Sequence, residues 1–296
     1  MDEEIQQANN RSGALYGRIS AQDKEDYHWG NKAVLFSNWG ELNLTGYYLT
    51  ISSPVNLSEW GSTQSESIYL VEGGKGVIKY RGIKYPIKKG YAVKFFPGQN
   101  PEFFPDDVLK LTIVQKPTRS ENNDISGEDF SIIKVINPEK VPSMVYEYET
   151  LGQEIFTCQY KNGLGLIKFV FPIDKIPLHQ HPFAGRLIRP IWGKGYTYVE
   201  PKKYIMDTDT FALFPPEITH TNGPEPGNIY VVWAVQLPWV DSEIDENNIA
   251  GSDNFVKYIG PTIPRELWKT KDDFKRAIRH LTKGIKVVNE ADTSPK

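Results

Sequence analysis

The chain has 296 residues, enough for one large domain or two ordinary ones. Hydrophobic residues make up 39% of it and charged residues 24%, which is typical of a globular protein. The net charge of -3 gives no general attraction to nucleic acid or to anionic lipid, and no apolar run is long enough to span a bilayer. We therefore expect neither nucleic acid nor a membrane as a partner.

Residues 1–32 are predicted to form a polar N-terminal arm. The first of them, "MDEEIQQANNRSG", lack the apolar stretch of a secretory signal. Cys158 is the single cysteine of the sequence, so an intrachain disulfide cannot form. Together these features favour a reducing, cytoplasmic location.

Residues 33–115 contain a first series of short strand-like segments. Each is rich in β-branched and aromatic residues, and Gly, Pro or Asn separates it from the next. The segments read "AVLFSNW", "TGYYLTIS", "SIYLVEGG", "GVIKYRG" and "YAVKFFPG". Residues 116–150 begin with a polar, turn-rich stretch, and we expect a linker with edge strands there.

Residues 151–240 contain a second series of the same kind. Its segments read "EIFTCQY", "GLIKFVFP", "RLIRPIWG", "GYTYVEP", "DTFALFPP" and "IYVVWAVQLP". The strand spacing of both series predicts β-sandwiches or barrels. In residues 241–296, apolar side chains such as Leu267, Phe274, Ile278 and Leu281 recur at helical spacing. This pattern predicts one or two helices packed on the outside.

The two series look like copies of one another. A shift of about 120 residues places "SESIYLVEGGKGVIKY" over "AGRLIRPIWGKGYTYV". Gly73 then falls on Gly193, and Glu66 falls on Arg186. The shift also brings Glu102 close to His220. An internal repeat of this length indicates duplication of a whole β-domain.

Three of the five histidines cluster in the second series. His179 and His181 project to the same side if their segment is extended, and His220 follows a later strand-like run. Imidazole suits Fe, Zn, Cu and Ni, and three protein ligands leave coordination positions open for catalysis. The alternative is two surface histidines beside a proline, together with an unrelated core histidine.

These residues resemble the first conserved motif of the cupin superfamily, G-x5-H-x-H-x3,4-E-x6-G. His179 and His181 stand at its H-x-H, and Gly193 stands at its closing glycine. The motif's glutamate, usually a fourth metal ligand, is replaced by Arg186. The resemblance therefore implies a three-histidine site, as in the cysteine- and gentisate-dioxygenase branches of the superfamily.

The stretch "DTDTFALFPPEITH" resembles the second cupin motif, G-x5-P-x-G-x2-H-x3-N. Asp209 stands at its first glycine, Pro215 at its proline and His220 at its histidine. Glu217 replaces the inner glycine and Asn222 comes two residues early, so the turn near His220 need not have the geometry typical of the motif.

The resemblance covers about residues 33–237. It implies an all-β fold of two tandem cupin barrels of the double-stranded β-helix, or jelly-roll, type. The short C-terminal helical tail would lie outside them. It also implies one divalent transition metal per chain, with Fe(II) favoured and Zn, Mn, Ni or Cu as alternatives. Because related proteins commonly pack one barrel's sheet against another, we also expect a homodimer.

The first series has lost its histidines. The resemblance aligns Glu59 and Gly61 with the H-x-H, while Glu66 stands at the motif's glutamate and Glu102 near the last ligand. Three carboxylates could bind a hard cation. We favour the other interpretation, that this copy is purely structural, because duplicated domains can keep a fold without its chemistry.

Arg186 and Tyr198 are the two candidate catalytic residues. By its position in the motif, Arg186 should enter the barrel beside the metal, where a guanidinium can bind a carboxylate bidentately. A small acidic substrate follows from this; the alternatives are a salt bridge to a protein carboxylate such as Glu217 and a side chain turned out to solvent. Tyr198 lies on a surrounding strand, as do further aromatic residues, some of which should face the cavity as an apolar wall while we expect most to be core: Trp192, Tyr196, Phe214 and Trp233.

Three functions remain open at this level. The first is a non-haem Fe(II) dioxygenase-like enzyme that uses O2 on a small carboxylate-containing substrate. The second is a non-redox isomerase, lyase or hydrolase in which Zn, Mn or Ni acts as a Lewis acid. The third is a non-catalytic protein that binds a small ligand.

Overall fold

The fold of the chain is all-β, as expected. A computed structural model describes residues 14–40, 43–117, 132–141, 143–145, 151–156, 163–171, 178–180, 184–199, 202–216, 218–238, 257–258 and 287–288. These ranges contain 24 strands and two short 3-10 helices, Leu57–Glu59 and Pro138–Lys140, with no α-helix among them. The predicted C-terminal helices lie outside the described residues, and so do Cys158, His181 and Glu217.

The first eleven strands form the N-terminal repeat. In chain order they are β1 (Leu15–Arg18), β2 (Lys24–Tyr27), β3 (Gly30–Trp39), β4 (Leu44–Ile51), β5 (Val55–Asn56), β6 (Ser65–Gly73), β7 (Lys75–Tyr80), β8 (Ile83–Lys88), β9 (Ala92–Phe95), β10 (Glu102–Pro105) and β11 (Leu109–Pro117).

The next eleven strands form the C-terminal repeat and correspond one to one with the first eleven. They are β12 (Lys134–Ile136), β13 (Ser143–Val145), β14 (Leu151–Phe156), β15 (Gly165–Phe171), β16 (His179–Gln180), β17 (Ala184–Trp192), β18 (Gly195–Val199), β19 (Lys202–Met206), β20 (Thr210–Phe214), β21 (His220–Pro224) and β22 (Tyr230–Pro238). Two further strands are β23 (Lys257–Tyr258) and β24 (Val287–Val288).

Each repeat combines a large sheet with a small one. The N-terminal repeat has a seven-stranded sheet, β12-β9-β6-β11-β4-β3-β2, and a four-stranded sheet, β5-β10-β7-β8. The C-terminal repeat has an eight-stranded sheet, β1-β20-β17-β22-β15-β14-β13-β24, and a five-stranded sheet, β19-β18-β21-β16-β23. The strand orders of the two repeats match, which is the arrangement expected of two jelly rolls.

The first strand of each repeat lies in the large sheet of the other. In β1, Tyr16 pairs with Ala212 of β20, and in β12, Val135 pairs with Val93 of β9. Both exchanges follow the same shift of about 120 residues, so they are part of the repeat. The segments expected as an N-terminal arm and as a linker with edge strands thus contribute strands to the two halves.

Two glycines with positive φ mark the same turn in both repeats. Gly74 has φ +75° and Gly193 has φ +78°, and an added Cβ would lie 2.2 Å from the Val108 carbonyl oxygen and 1.8 Å from that of Ile229. Only glycine tolerates this backbone conformation and this close approach. Gly74, and not Gly73, is therefore the counterpart of Gly193.

Three apolar clusters make up the core of the described part of the chain. One fills the N-terminal repeat and contains Tyr69 and Phe95, and a second fills the C-terminal repeat and contains Ile188 and Phe214. The third lies between the two large sheets, where Ile68 belongs to the same cluster as Leu187, Leu213 and Val235. Because strands alternate their faces, the residue next to an interface position points into a barrel.

Charged residues join the two repeats across this interface. Lys94 Nζ lies 2.8 Å from Glu66 Oε1, and both groups bond the backbone of Leu164: Lys94 donates to its carbonyl oxygen and Glu66 accepts from its N–H. From the other side, Arg189 donates to Glu72 and Thr112 of the N-terminal repeat. These buried charged groups are thus paired with one another or with backbone groups at the interface between the two repeats, here called the seam.

Candidate metal centre

His179 and His220 face each other inside the C-terminal repeat. They are directly opposite in the pairing of β16 with β21, and their ring centroids are 4.3 Å apart. His179 is 4% exposed and His220 is 2% exposed. Residues opposite one another on neighbouring strands place their side chains on the same face. The structure therefore brings two of the three predicted ligands together, and the third, His181, lies outside the described residues.

A backbone carbonyl orients the His220 ring. Its Nδ1 lies 2.8 Å from the carbonyl oxygen of Ile218. Since a carbonyl can only accept, Nδ1 carries the proton and Nε2 carries the lone pair. The ring of Phe214 stacks on His220 at 4.7 Å and an interplanar angle of 22°. Fixing the far nitrogen in this way is how proteins prepare a histidine for a metal.

The surroundings of His220 favour its neutral form. Burial, the neighbouring His179 and the positive charge of Arg186 hold its pKa well below the usual value, against the opposing effect of the hydrogen bond to Ile218. A neutral imidazole is the form that binds a metal without first losing a proton. The chemistry of this donor set therefore fits a divalent transition metal.

Arg186 enters the same interior. It is 3% exposed and pairs with Phe214 on β20 and with Gln236 on β22. Two residues along β17, Ile188 belongs to the core cluster of the C-terminal repeat, so Arg186 points to that side. The position predicted for this guanidinium is the one found; its contact with a substrate remains a prediction.

Tyr198 is not brought to this cluster. On β18, Val199 pairs with His220 and Thr197 pairs with Asn222, and Tyr198 lies between them on the opposite face. The same alternation turns Tyr196 outward, where Lys203 Nζ lies 4.2 Å from its ring centroid. The catalytic role expected for Tyr198 has no support from this placement.

The aromatic residues of these strands divide between the core, the surface and the candidate site. Trp192 is 50% exposed, and Trp233 belongs to the cluster between the two large sheets. Of the aromatic residues that the sequence placed around the metal, Phe214 is the one that stacks on a predicted ligand.

Three buried polar residues near the histidines were given no role from the sequence. Thr197 Oγ1 donates to Asn222 Oδ1 at 2.6 Å, with exposures of 0% and 4%, and Gln236 is 5% exposed beside Arg186. Thr197 and Asn222 are polar residues at inward positions of their strands. The alternation of strand residues alone could have identified them, because polar residues at inward positions are expected to face one another or a ligand.

The alignment of Glu66 with Arg186 is wrong by one residue. Ser67 pairs with Gln115 and Phe95 just as Arg186 pairs with Gln236 and Phe214, so Ser67 is the counterpart of Arg186. Glu66 projects to the other side of β6, where it joins Lys94 at the interface between the repeats. A slip of one residue in a strand moves a side chain to the opposite face.

The three carboxylates of the N-terminal repeat do not meet. Glu59 is partly exposed, accepts from the N–H of Asn56 and lies 3.4 Å from His28 Nε2. Glu102 pairs with Lys79. The pair Pro105–Gly76 of the N-terminal repeat matches the pair Pro224–Gly195 of the C-terminal repeat. Counted from these pairs, Glu102 is the counterpart of Thr221, one residue past His220. Within the described ranges, no group of three His, Cys, Asp or Glu side chains could hold a metal.

Comparison with known proteins identifies the fold. No family model matches the sequence, and no curated protein matches it. Solved structures do match. A putative glyoxylate-induced protein from Pseudomonas aeruginosa superposes with a TM-score of 0.65 at 10% identity, covering 79% of this chain and 92% of that one. A cupin 2 conserved barrel domain protein from Leptotrichia buccalis gives 0.54 at 15% identity, covering 75% and 95%.

A third similar structure is an enzyme. A mutant of oxalate decarboxylase from Bacillus subtilis superposes with a TM-score of 0.55 at 10% identity, covering 78% of this chain and 79% of that one. Another structure of the same enzyme is described by its Mn(II) centres. In the described part of this chain, no helix has the length and apolar character to cross a membrane. At these identities the likeness is one of architecture, and it shows that this chain has the cupin fold.

Proposed function

We propose that the chain is a metal-dependent enzyme of the two-barrel cupin type, acting on a small carboxylic acid in its C-terminal repeat. His179, His181 and His220 would hold one divalent metal. The observation that carries the proposal is the pair of buried histidines, opposite in register, with a buried guanidinium on the same interior side. Packing and stability alone do not call for two buried imidazoles and a buried guanidinium in the interior of one repeat.

Each residue has a distinct task in this proposal. When bound, the metal supplies an open coordination position and, if it is iron, redox chemistry. Because the Ile218 carbonyl holds the Nδ1 of His220, the lone pair of Nε2 would be the one that binds the metal. Arg186 binds and orients the substrate carboxylate through two parallel hydrogen bonds. Phe214 excludes water from the ring of His220 and fixes its angle.

The charge of Arg186 makes an acid the best-suited substrate. A cation near a divalent metal raises the local positive potential, which disfavours metal binding unless an anion is present. A substrate carboxylate provides that anion, so substrate and metal would support each other's binding.

Two reactions deserve testing in order. The first is Fe(II)-dependent oxygenation of the acid with O2, which the resemblance to the three-histidine dioxygenase branches of the superfamily favours. The second is non-redox, metal-dependent cleavage of the acid, and one observation favours it: the similar structures include an oxalate decarboxylase and its Mn(II) centres. Both reactions take a small carboxylate to the same metal.

The test combines metal analysis with turnover. Protein purified without oxygen is analysed for Fe, Mn, Zn, Ni and Cu, and then mixed with a panel of small mono- and dicarboxylic acids while O2 uptake and CO2 release are followed. About one metal per chain and uptake of O2 support the first reaction; CO2 release without O2 uptake supports the second. His28→Ala is the matched control, because His28 is 74% exposed. Full metal content in a His179→Ala variant would contradict the site.

A further inference from the structure

Thr197 and Asn222 form a buried polar pair on the inner face of the five-stranded sheet. They are opposite each other in the pairing of β18 with β21, and Thr197 Oγ1 donates to Asn222 Oδ1 at 2.6 Å. Asn222 follows His220 by two residues on the same strand, so both side chains lie on the same face of the sheet. The pair therefore belongs to the interior that holds the candidate metal centre.

The hydrogen bond from Thr197 leaves the other end of the Asn222 side chain as a donor. The amide oxygen is engaged, whereas Nδ2 carries two hydrogens that have no acceptor among the residues that the structure describes. Asn222 is only 4% exposed. A buried donor is expected to bind protein, water or ligand. The side-chain amide of Asn222 is thus suited to an acceptor inside the repeat.

The matching pair of the N-terminal repeat is apolar. By the strand register given above, Phe103 and Ile78 are the counterparts of Asn222 and Thr197, and they are likewise opposite each other. Both belong to the apolar core of their repeat. The same two strands therefore pair without a polar couple, so the fold alone does not explain why the C-terminal repeat has one.

Smaller side chains also line the C-terminal interior at positions that bulky side chains fill in the N-terminal repeat. The strand pairing gives three pairs of counterparts, with the N-terminal residue first: Tyr69 and Ile188, Ile113 and Ala234, and Phe103 and Asn222. Arg186, in place of Ser67, takes up part of the difference. A matching backbone with smaller inward side chains encloses more space, which favours a bound small molecule in the C-terminal repeat.

We propose that Asn222 determines the substrate specificity of this centre, by donating a hydrogen bond to a second, uncharged oxygen of the acid. The inference rests on the function proposed above, in which Arg186 binds the carboxylate. A second carboxylate at Asn222 is disfavoured, because a neutral amide does not offset its charge in a buried site. The substrate class is therefore a small monocarboxylic acid that also carries a carbonyl or hydroxyl group.

Thr197 is a positioning residue in this proposal. Its hydroxyl group holds Oδ1 of Asn222 and so fixes which end of the amide is turned to the substrate. Without that hydroxyl the amide can rotate and present its oxygen, which does not bond a carbonyl. Removing the hydroxyl of Thr197 should therefore reduce the same selectivity that Asn222 provides.

Two pairs of acids with equal carbon chains test the inference: pyruvate against propionate, and 3-hydroxybutyrate against butyrate. Binding to the full chain, with the metal it retains on anaerobic purification, is measured by titration calorimetry without O2. The readout is the ratio of the two dissociation constants within a pair. In the wild-type protein at least one ratio should favour the oxygen-bearing acid about tenfold, the value of one hydrogen bond in a buried site. Malonate should bind at least about tenfold more weakly than that acid.

Two variants test whether Asn222 is the source of the ratio. Asn222→Leu and Thr197→Val keep the size of the side chain, and both should bring the ratio close to one while propionate and butyrate bind as in the wild-type protein. A merely structural defect weakens both acids of a pair alike and leaves the ratio unchanged. Asn100→Leu is the control, because Asn100 lies on the surface, and it should keep the wild-type ratio.

The outcomes separate this inference from the function on which it rests. If Arg186→Gln abolishes binding of the acids but the wild-type ratios are near one, or malonate binds as tightly, the role of Asn222 is overturned and the acid site stands. A tenfold ratio that persists in folded Asn222→Leu or Thr197→Val protein also overturns it, because chelation by the metal alone then explains the preference. If none of the acids binds the metal-loaded protein, both proposals are overturned.

Discussion

The two repeats share a backbone plan and differ in what fills it. In the C-terminal repeat, Arg186 and His220 lie against Phe214, whereas in the N-terminal repeat the corresponding space holds Ser67 and a set of packed aromatic rings. Both repeats keep the glycine turn and the exchange of their first strands. Strand pairing is thus insensitive to the interior chemistry, which a handful of inward positions decide.

The largest expected effect comes from removing a ligand from the C-terminal repeat. His220→Ala should lower metal affinity at least about a hundredfold, since even partners of metal ligands contribute about 10–100-fold. Metal content after dialysis, measured by elemental analysis, checks this. His28→Ala, in the partly exposed pair with Glu59, should change nothing. Equal loss in both variants would mean that the two repeats do not differ in metal binding.

The next effect concerns the dependence of one repeat on the other. Arg189→Met removes the guanidinium that joins Glu72 to the carbonyl oxygens of Thr208 and Thr210, and leaves a buried carboxylate behind. The free energy of unfolding should fall by about 3–5 kcal/mol, as for other broken buried pairs. Urea unfolding measures it.

Two companions sharpen the Arg189 experiment. Lys203→Met breaks a partly exposed pair with Glu225 at 2.9 Å and should cost less than about 1 kcal/mol. Adding Glu72→Gln to Arg189→Met should recover part of the loss, because the buried charge is gone. A loss in Arg189→Met no larger than that in Lys203→Met would show that the seam is not held by this pair.

A substrate effect should follow from Arg186. Arg186→Gln should lower kcat/KM for the acid by about two powers of ten, the value of a charge-assisted bidentate contact, while metal content stays near normal. Steady-state kinetics with the acid found by turnover checks it, and Arg18→Gln, at a side chain 47% exposed, is the control. Wild-type kinetics in Arg186→Gln would make this residue structural.

Acidification should destabilise the C-terminal repeat more than the N-terminal repeat. The folded-state pKa of His220 lies well below its ordinary value near 6.5, so the unfolded chain binds more protons there. The contribution of this residue to stability is present above about pH 6.5 and is lost as pH falls below it. Hydrogen exchange of metal-free protein at pH 7.5 and 5.5 should show amides of β21 losing more protection than those of β10. Equal loss on both strands would contradict the assignment.

The smallest expected effect is on the carboxylates of the N-terminal repeat. A Glu59→Gln, Glu102→Gln double variant should keep the metal content of the wild-type protein, because within the described residues these carboxylates do not belong to a group of three possible metal ligands. Elemental analysis with added Mg²⁺ and Ca²⁺ checks this. If the wild-type protein binds a cation that the variant loses, the N-terminal repeat does contain a site for a hard metal.

The fold and the main site residues were predictable, but the exact face of each side chain was not. Alternation of apolar residues and the spacing of glycines indicated short strands throughout, and His220 and Arg186 were placed correctly inside the barrel. The comparison of the two copies was one residue out of step on β6, which moved Glu66 from the interface to the interior. Sequence similarity between diverged strands is too weak to fix a single-residue step, whereas hydrogen-bond pairing fixes it.

The exchange of β1 and β12 could not have been predicted. Each is a short strand, four and three residues long, whose partner lies far away in the chain. Local sequence gives the strand character of such a segment but holds no information on which of two similar sheets it joins. Arg189 was missed for the same reason, since its partners Glu72 and Thr112 belong to the other repeat.

The exchanged strands set an order of events during synthesis. Tyr16 of β1 pairs with Ala212, so β1 has no partner until about 200 residues more have left the ribosome, roughly 10–40 s at ~5–20 residues per second. The edge of the N-terminal sheet at β9 likewise stays uncovered until β12 has been synthesised. A nascent chain therefore carries an open strand edge through most of its translation, and such an edge can pair with the edge of another chain.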